Sequence, residues 1–257
     1  VIGRYLRGVG MLGQGLGLYT RRPRLLLLGL VPVVIAAAVF LALLAILIYF
    51  IDDIAAAVTW FAGDWSQTPR TLVRTLAGIA VLGTALLIGL VSFTSFTLLI
   101  GDPFYERISA QVEDWHGGAP PEVDTGAWAS FGRDLADSAR LLAVTVPVGA
   151  CLFLLGFVPV VGQTVAPVLG ATFGGWFLAL ELVGVPFSRR GLRLAARRRA
   201  LRTCRPEALG FGTAVFLCFA LIPLGAVLLM PAAVAGGTLL ARRALATSRA
   251  DRGRVSA

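Results

Sequence analysis

The apolar positions of this chain are gathered into four long blocks. The first, Leu25 to Ile51, holds no charged residue and is bounded by Arg21, Arg22 and Arg24 on one side and by Asp52 and Asp53 on the other. As a helix it is about 40 Å long, more than the ~30 Å of a bilayer's hydrocarbon core. Leu76 to Gly101, between Arg74 and Asp102, is the second. A buried helix of a soluble protein rarely runs this far without a charge. The pattern therefore predicts membrane spans over about 25–51 and 76–101.

The third and fourth blocks are broken. Leu141 to Leu180 is too long for one span, and its middle reads Pro159-Val-Val-Gly162-Gln163-Thr164-Val-Ala-Pro167. Prolines, a glycine and two polar side chains inside an apolar run mark a turn. Two helices follow, over about 141–158 and 167–187. Ala208 to Ala241 repeats the design, with interruptions at Pro223, Gly225 and Pro231. Its first arm, 208–222, is about 22 Å as a helix, short of a full crossing. The fold class this predicts is an all-α integral membrane protein. It has two long spans and two Pro/Gly-broken hairpins, over about 141–187 and 208–241; the first turns at membrane depth or near the far surface, and the short first arm of the second fits a part-way penetration better than a full span. Turn backbone cannot face lipid bare, so such hairpins require a compact bundle or a homo-oligomer.

Composition agrees. The chain is 57% hydrophobic and 14% charged, with mean hydropathy +0.83. A soluble domain carries roughly 25% charge. The net charge of +9 comes from arginine alone, since there is no lysine. The arginines cluster in 1–24, in 188–207 and in the basic tail 242–257, while 102–140 is acidic. Two spans followed by two hairpins put all of these segments on one side, and positive-inside counting makes that side the cytoplasm. Both termini are then cytoplasmic. The acids of 102–140 are the expected partners of the arginine run 189–205. Residues 2–19 predict an interfacial amphipathic helix leading into the first span. The apolar run after them is too long for a signal peptide's core.

Several motifs carry less than they promise. Gly8-Val-Gly10-Met-Leu-Gly13 matches a dinucleotide fingerprint, but no strand precedes it and no acid follows about 20 residues on. Gly13 with Gly17, and Gly170 with Gly174, have the spacing that permits close helix approach. Cys151, Cys204 and Cys218 form no metal-ligand spacing and read as small hydrophobes. The one histidine, His116, cannot form a metal cluster alone. No catalytic constellation, metal site or cofactor site is predicted, and an enzyme is disfavoured.

Three groups of candidate residues remain. Arg21, Arg22 and Arg24 surround Pro23 at the start of the first span. A helix N-terminus and three guanidinium groups there make a candidate site for a tetrahedral oxyanion. Glu181 is the one charged residue inside a proposed membrane segment, where such groups are costly. With Pro159, Gly162, Gln163, Thr164, Pro167, Pro223 and Pro231 it forms the candidate pathway and hairpin-turn set. Arg190, Arg193, Arg197 and Arg198 recur at helical spacing and predict a basic face toward anionic lipid. Nucleic acid is not an expected partner, because no stacking aromatics are interleaved.

The order of these features resembles the CysZ sulfate-permease family, which shares its domain with the eukaryotic etoposide-induced membrane proteins. The match rests on Pro159-Val-Val-Gly-Gln-Thr-Val-Ala-Pro-Val-Leu169, then Trp176-Phe-Leu-Ala-Leu and Pro186-Phe187. It rests further on Asp102-Pro-Phe104, Phe211-Gly212, Ile222-Pro223, Met230-Pro-Ala-Ala-Val-Ala-Gly-Gly-Thr238 and Pro32. It covers nearly all of 10–241 in order. The resemblance implies a bacterial inner-membrane protein that assembles as an oligomer and takes up sulfate passively to feed cysteine synthesis. The chain departs from the family's Pro-Gly-hydrophobic-Arg-Arg pattern at the first span. Here Pro23 is followed by Arg24-Leu25-Leu26-Leu27, and the arginines lie beside it. The function expected is a permease or channel for sulfate or a related oxyanion. The alternative is a non-transporting, lipid-interacting protein that organises the membrane. The whole of 1–257 is expected to act as one membrane domain.

Overall fold

The computed structural model describes residues 2–118, 127–159, 161–222 and 224–255, and all regular structure among them is helical. The elements are α1 (Ile2–Arg21), α2 (Pro23–Tyr49), α3 (Ile51–Val58), a single 3-10 turn (Trp60–Ala62), α4 (Gln67–Asp114), α5 (Ala127–Gly156), α6 (Val161–Leu182), α7 (Gly184–Ser188), α8 (Leu194–Thr203), α9 (Arg205–Leu221) and α10 (Gly225–Val255). Five helices are long and apolar enough to cross a membrane: Pro23–Tyr49, Gln67–Asp114, Leu135–Gly156, Gly162–Leu182 and Gly225–Ser248. α9 is shorter, and it turns from α8 through 109°.

Helices run through parts of both predicted breaks, and one long span runs on past its predicted end. α4 continues across Asp102-Pro103 to Asp114, and Tyr105, Ile108 and Val112 are buried on its last turns. α6 begins at Val161 and carries Pro167 inside it, while α10 carries Pro231. A proline removes one helical hydrogen bond and bends the helix, but the remaining bonds of a long helix carry it through. The helices flanking each turn come closer together than the sequence indicated: α5 ends at Gly156 and α6 begins at Val161, and α9 ends at Leu221 and α10 begins at Gly225.

The chain forms two compact units. One contains residues 1–29 and 103–257, and the other residues 30–102. In the first, α1 packs on α9 and α10, α9 packs on α6, and α6 on α5. Backbones meet closely at glycines. A Cβ on Gly8 would run into the Glu207 carbonyl, and one on Gly15 into the Ala232 carbonyl and the Gly236 nitrogen. Gly212 and Gly175 meet between α9 and α6 in the same way. The expectation for Gly13 and Gly17 fails: a Cβ on either meets nothing within 4 Å. Of the second pair, Gly174 lies against the Phe216 ring and Gly170 is open. Phe187, Phe211, Leu180, Leu182 and Leu240 fill the interior. The buried Thr238 hydroxyl on α10 bonds Ser109 Oγ on α4 at 3.0 Å.

In the second unit, α2 and α4 meet through side chains. Phe40 and Phe93 stack edge to face, 6.1 Å between centroids, and the Phe40 ring lies against Gly89. Most outward positions are aliphatic and exposed, as for helices solvated by lipid. The turn between the helices carries Tyr49, Phe50, Trp60, Phe61 and Trp65, all exposed and paired edge to face.

Candidate anion site

α1 and α2 are separated by one residue. Pro23 disfavours a helical conformation at the residue before it, so α1 ends at Arg21 and Pro23 opens α2. The Arg22 carbonyl accepts from Leu25 N at 3.0 Å and Leu26 N at 3.1 Å. Pro23 has no N–H, so the Arg24 N–H is the donor left at this end. The helix terminus thus offers less to an anion than its sequence implied, and the guanidinium groups carry the site.

Arg21 and Arg22 line a cavity of about 670 Å³ together with Gln14, Leu18, His116, Leu239 and the open glycine positions 10, 13 and 17. The Arg22 guanidinium lies over the Trp115 ring, 4.9 Å from its centroid, a cation–π contact that limits its rotation. Arg24 is exposed and outside that lining. His116 Nδ1 is 2.7 Å from the Val112 carbonyl. A carbonyl only accepts, so Nδ1 carries a proton and Nε2 is the ring's remaining polar atom. Gly117 and Gly118 have φ of 115° and 91°, values that side chains rarely adopt, and they turn the chain just after His116. Arg242 of α10 donates to the His116 carbonyl and holds this turn. The structure therefore brings together Arg21, Arg22, Gln14 and His116. Sequence reading singled out the first two alone. The Trp-His-Gly-Gly run was the available signal for the rest, but its partners lie far away in sequence.

The basic run is not one helix. Gly191, at φ 64°, separates α7 from α8. Arg190 turns inward and forms an ion pair of 2.6 Å with Glu113. Glu113 is fully buried on α4 and also holds Arg189 at 3.0 Å. Arg189 donates to the Glu106 carbonyl as well, and Arg190 to the Pro186 carbonyl. The lipid-face expectation is thereby corrected for Arg190: a buried carboxylate takes its charge. Arg193 is exposed, 3.9 Å from Asp137. Asp137 accepts from Leu194 N at 2.9 Å and so caps α8. Arg197 donates to Ser188 Oγ, and Arg198 is half-buried. The predicted partnership of the acidic segment with the arginine run is thus realised by Glu113 and Asp137.

A third ionic group joins α1 to α9. Arg4 Nε donates to the buried Glu207 carboxylate at 2.9 Å, and Arg7 lies 4.0 Å from it. Glu207 precedes the apolar stretch that starts at Ala208. Burial works against its charge, but the Arg4 hydrogen bond and the charges of Arg4 and Arg243 outweigh it, so its pKa is lowered. At the same bend, burial and then the neighbouring Glu207 push the Cys204 thiol up to about 11.

The pathway candidates are spread out. Pro159 is exposed in the α5–α6 turn, and a Cβ on buried Gly162 would strike the Gly156 carbonyl. Gln163, Thr164 and Pro167 are exposed on the first turns of α6. Pro167 supplies no N–H to the Gln163 carbonyl. Glu181 is exposed and lines a cavity of about 500 Å³ with Leu141, Phe177, Phe216 and Phe219. Pro231 is buried within α10, close to Gly29. Pro223 lies outside the described residues. Among the described residues, no three His, Cys, Asp or Glu side chains are grouped to hold a metal ion.

The family described as sulfate transporter CysZ/etoposide-induced protein 2.4 matches residues 11–231. That match takes in most of the chain, and the protein belongs to this family as a multi-pass α-helical membrane protein.

Proposed function

We propose that the protein is a permease or channel for sulfate or a closely related oxyanion, acting passively in the bacterial cytoplasmic membrane with both termini in the cytoplasm. The observation that carries this reading is the convergence of Arg21 and Arg22 with Gln14 and His116 on one cavity, in a chain of a sulfate-transporter family. A tetrahedral dianion holds its water strongly. Two guanidinium forks and a side-chain amide supply fixed donors in place of that water, and charge-assisted bonds of this kind are the strong ones. Arg24 adds charge from outside the cavity. Within the apolar ranges 141–187 and 208–241 Glu181 is the one charged residue, which favours facilitated passage over a strongly coupled pump. Gln163, Thr164, Pro159, Gly162, Pro167 and Glu181 line the route once protomers assemble, and the chain acts as one membrane domain.

The deciding experiment is radiolabelled sulfate uptake into proteoliposomes, comparing the native protein with the Arg21→Ala/Arg22→Ala variant. Uptake above empty vesicles that the variant loses is the expected result. No uptake by the native protein removes the permease reading and leaves the membrane-organising one.

A further inference from the structure

The groove that holds the anion cavity continues along α1 beyond it. A second cavity of about 470 Å³ is lined by Gly3, Leu6, Arg7, Gly10, Met11, Gln14 and Arg243, and it shares Gly10 and Gln14 with the first. Arg7 and Arg21 are 14 residues apart on one flank of the helix, a distance of about 21 Å. One wall is α1 and the other is the later half of α10. Added side chains at Gly3, Gly10, Gly13 and Gly17 would meet nothing within 4 Å, so the flank is open space.

The charge at the far end is unbalanced. Arg4, Arg7 and Arg243 surround a single carboxylate, Glu207. Arg4 takes its short bond, at 2.9 Å, while Arg7 stands off at 4.0 Å and is 54% exposed. Three positive charges against one negative leave two to be met from outside. Next to them α1 presents an exposed apolar stripe: Ile2, Leu6, Val9 and Leu16 fall within about 80° of one another at 100° per residue. This stripe lies opposite the face that Gly8, Met11 and Gly15 bury against α9 and α10.

We propose that the Arg7–Arg243 end of this groove binds the phosphate of an anionic phospholipid, with its acyl chain lying along the exposed Ile2–Leu6–Val9 stripe of α1. A headgroup phosphate supplies the missing negative charge, and the neighbouring apolar stripe places α1 at the depth where such headgroups are found. A free phosphate or sulfate ion meets the charge but not the apolar stripe. This end of the groove adjoins the Arg21–Arg22 cavity through Gly10 and Gln14 but uses different arginines, and it does not depend on what the protein transports.

The test is native mass spectrometry of the full-length protein, released from detergent after titration with phosphatidylglycerol or phosphatidylcholine. The native protein retains phosphatidylglycerol selectively. In Arg7→Gln/Arg243→Gln that affinity falls by roughly 30-fold, the factor expected for two lipid-facing arginines. Arg70→Gln/Arg74→Gln, in the other unit, retains the lipid as before. If the double variant does not fold, Arg243→Gln alone falls about fivefold on the same scale, and Arg7→Lys/Arg243→Lys keeps the selectivity. Equal retention of the two lipids by the native protein overturns the proposal. So does unchanged retention in the glutamine variants, or displacement of the lipid by millimolar inorganic phosphate. A native protein that retains no lipid because a second copy fills the groove overturns it as well.

Discussion

Glu113 is fully buried, and two arginines, Arg189 and Arg190, pair with its carboxylate. Removing one partner of a buried ion pair costs about 3–5 kcal/mol, because the other charge is stranded out of water. Glu113→Gln leaves Arg189 and Arg190 confronting each other, so its thermal unfolding midpoint in detergent falls steeply. Arg198→Gln, which is not tied to a buried acid, stays within about 0.5 kcal/mol of the native protein. The same reasoning separates the arginines of the anion site. Arg22 is positioned by Trp115 and lines the cavity, whereas Arg24 does not. A hydrogen bond to a charged group contributes about 1.5–3 kcal/mol. Arg22→Ala therefore weakens sulfate binding by roughly 10- to 100-fold in a titration, and Arg24→Ala by much less. Equal losses would place the anion outside the cavity. The sequence showed three adjacent arginines, and nothing local to them told which two turn inward; Trp115 and His116 decide that from about ninety residues away.

At the scale of elements, α1 distinguishes what sequence reveals from what it hides. Its six glycines look alike in the chain, and the familiar four-residue spacing pointed to Gly13 and Gly17. The faces that touch are Gly8 and Gly15, seven residues apart, because the partners are the backbones of α9 and α10. Gly15→Leu is expected to release α1, read as proteolytic cleavage between Ile2 and Arg21, while Gly13→Ala leaves it docked and gains about 0.4–1 kcal/mol of helix stability. Proline misled in a related way. Pro167, which is exposed, and Pro231, which is buried, both sit inside helices, since the loss of one hydrogen bond is tolerated in a long helix. Acid should also free α1. Glu207 has a lowered pKa in the folded protein, so its pairing with Arg4 stabilises the docked helix above the ordinary carboxylate pKa of about 4.3 and is lost as pH falls below that value. Hydrogen exchange of α1 amides should quicken between about pH 4 and the lower folded value, and Glu207→Gln should exchange fast at every pH.

For the whole molecule, the blocks of apolar sequence were enough to reveal an all-helical membrane protein, because a charge-free run of membrane length has few other homes. They could not reveal how the hairpins pack, which depends on glycine contacts between distant segments. The sidedness proposed for the protein rests on charge and aromatics together. Tyr49, Phe50, Trp60, Phe61 and Trp65 crowd the turn that joins the two long spans, and such rings settle at the headgroup level. The arginine-rich segments 188–207 and 242–257 fall on the other side if α2 and α4 both cross. A cysteine-free protein carrying Asp64→Cys or Arg199→Cys tests this in sealed inverted vesicles. An impermeant thiol reagent should label position 199 from outside and position 64 only after the membrane is opened. Labelling of both positions from the same side would mean that α4 does not cross, and the route proposed for the anion would then have no second compartment to reach.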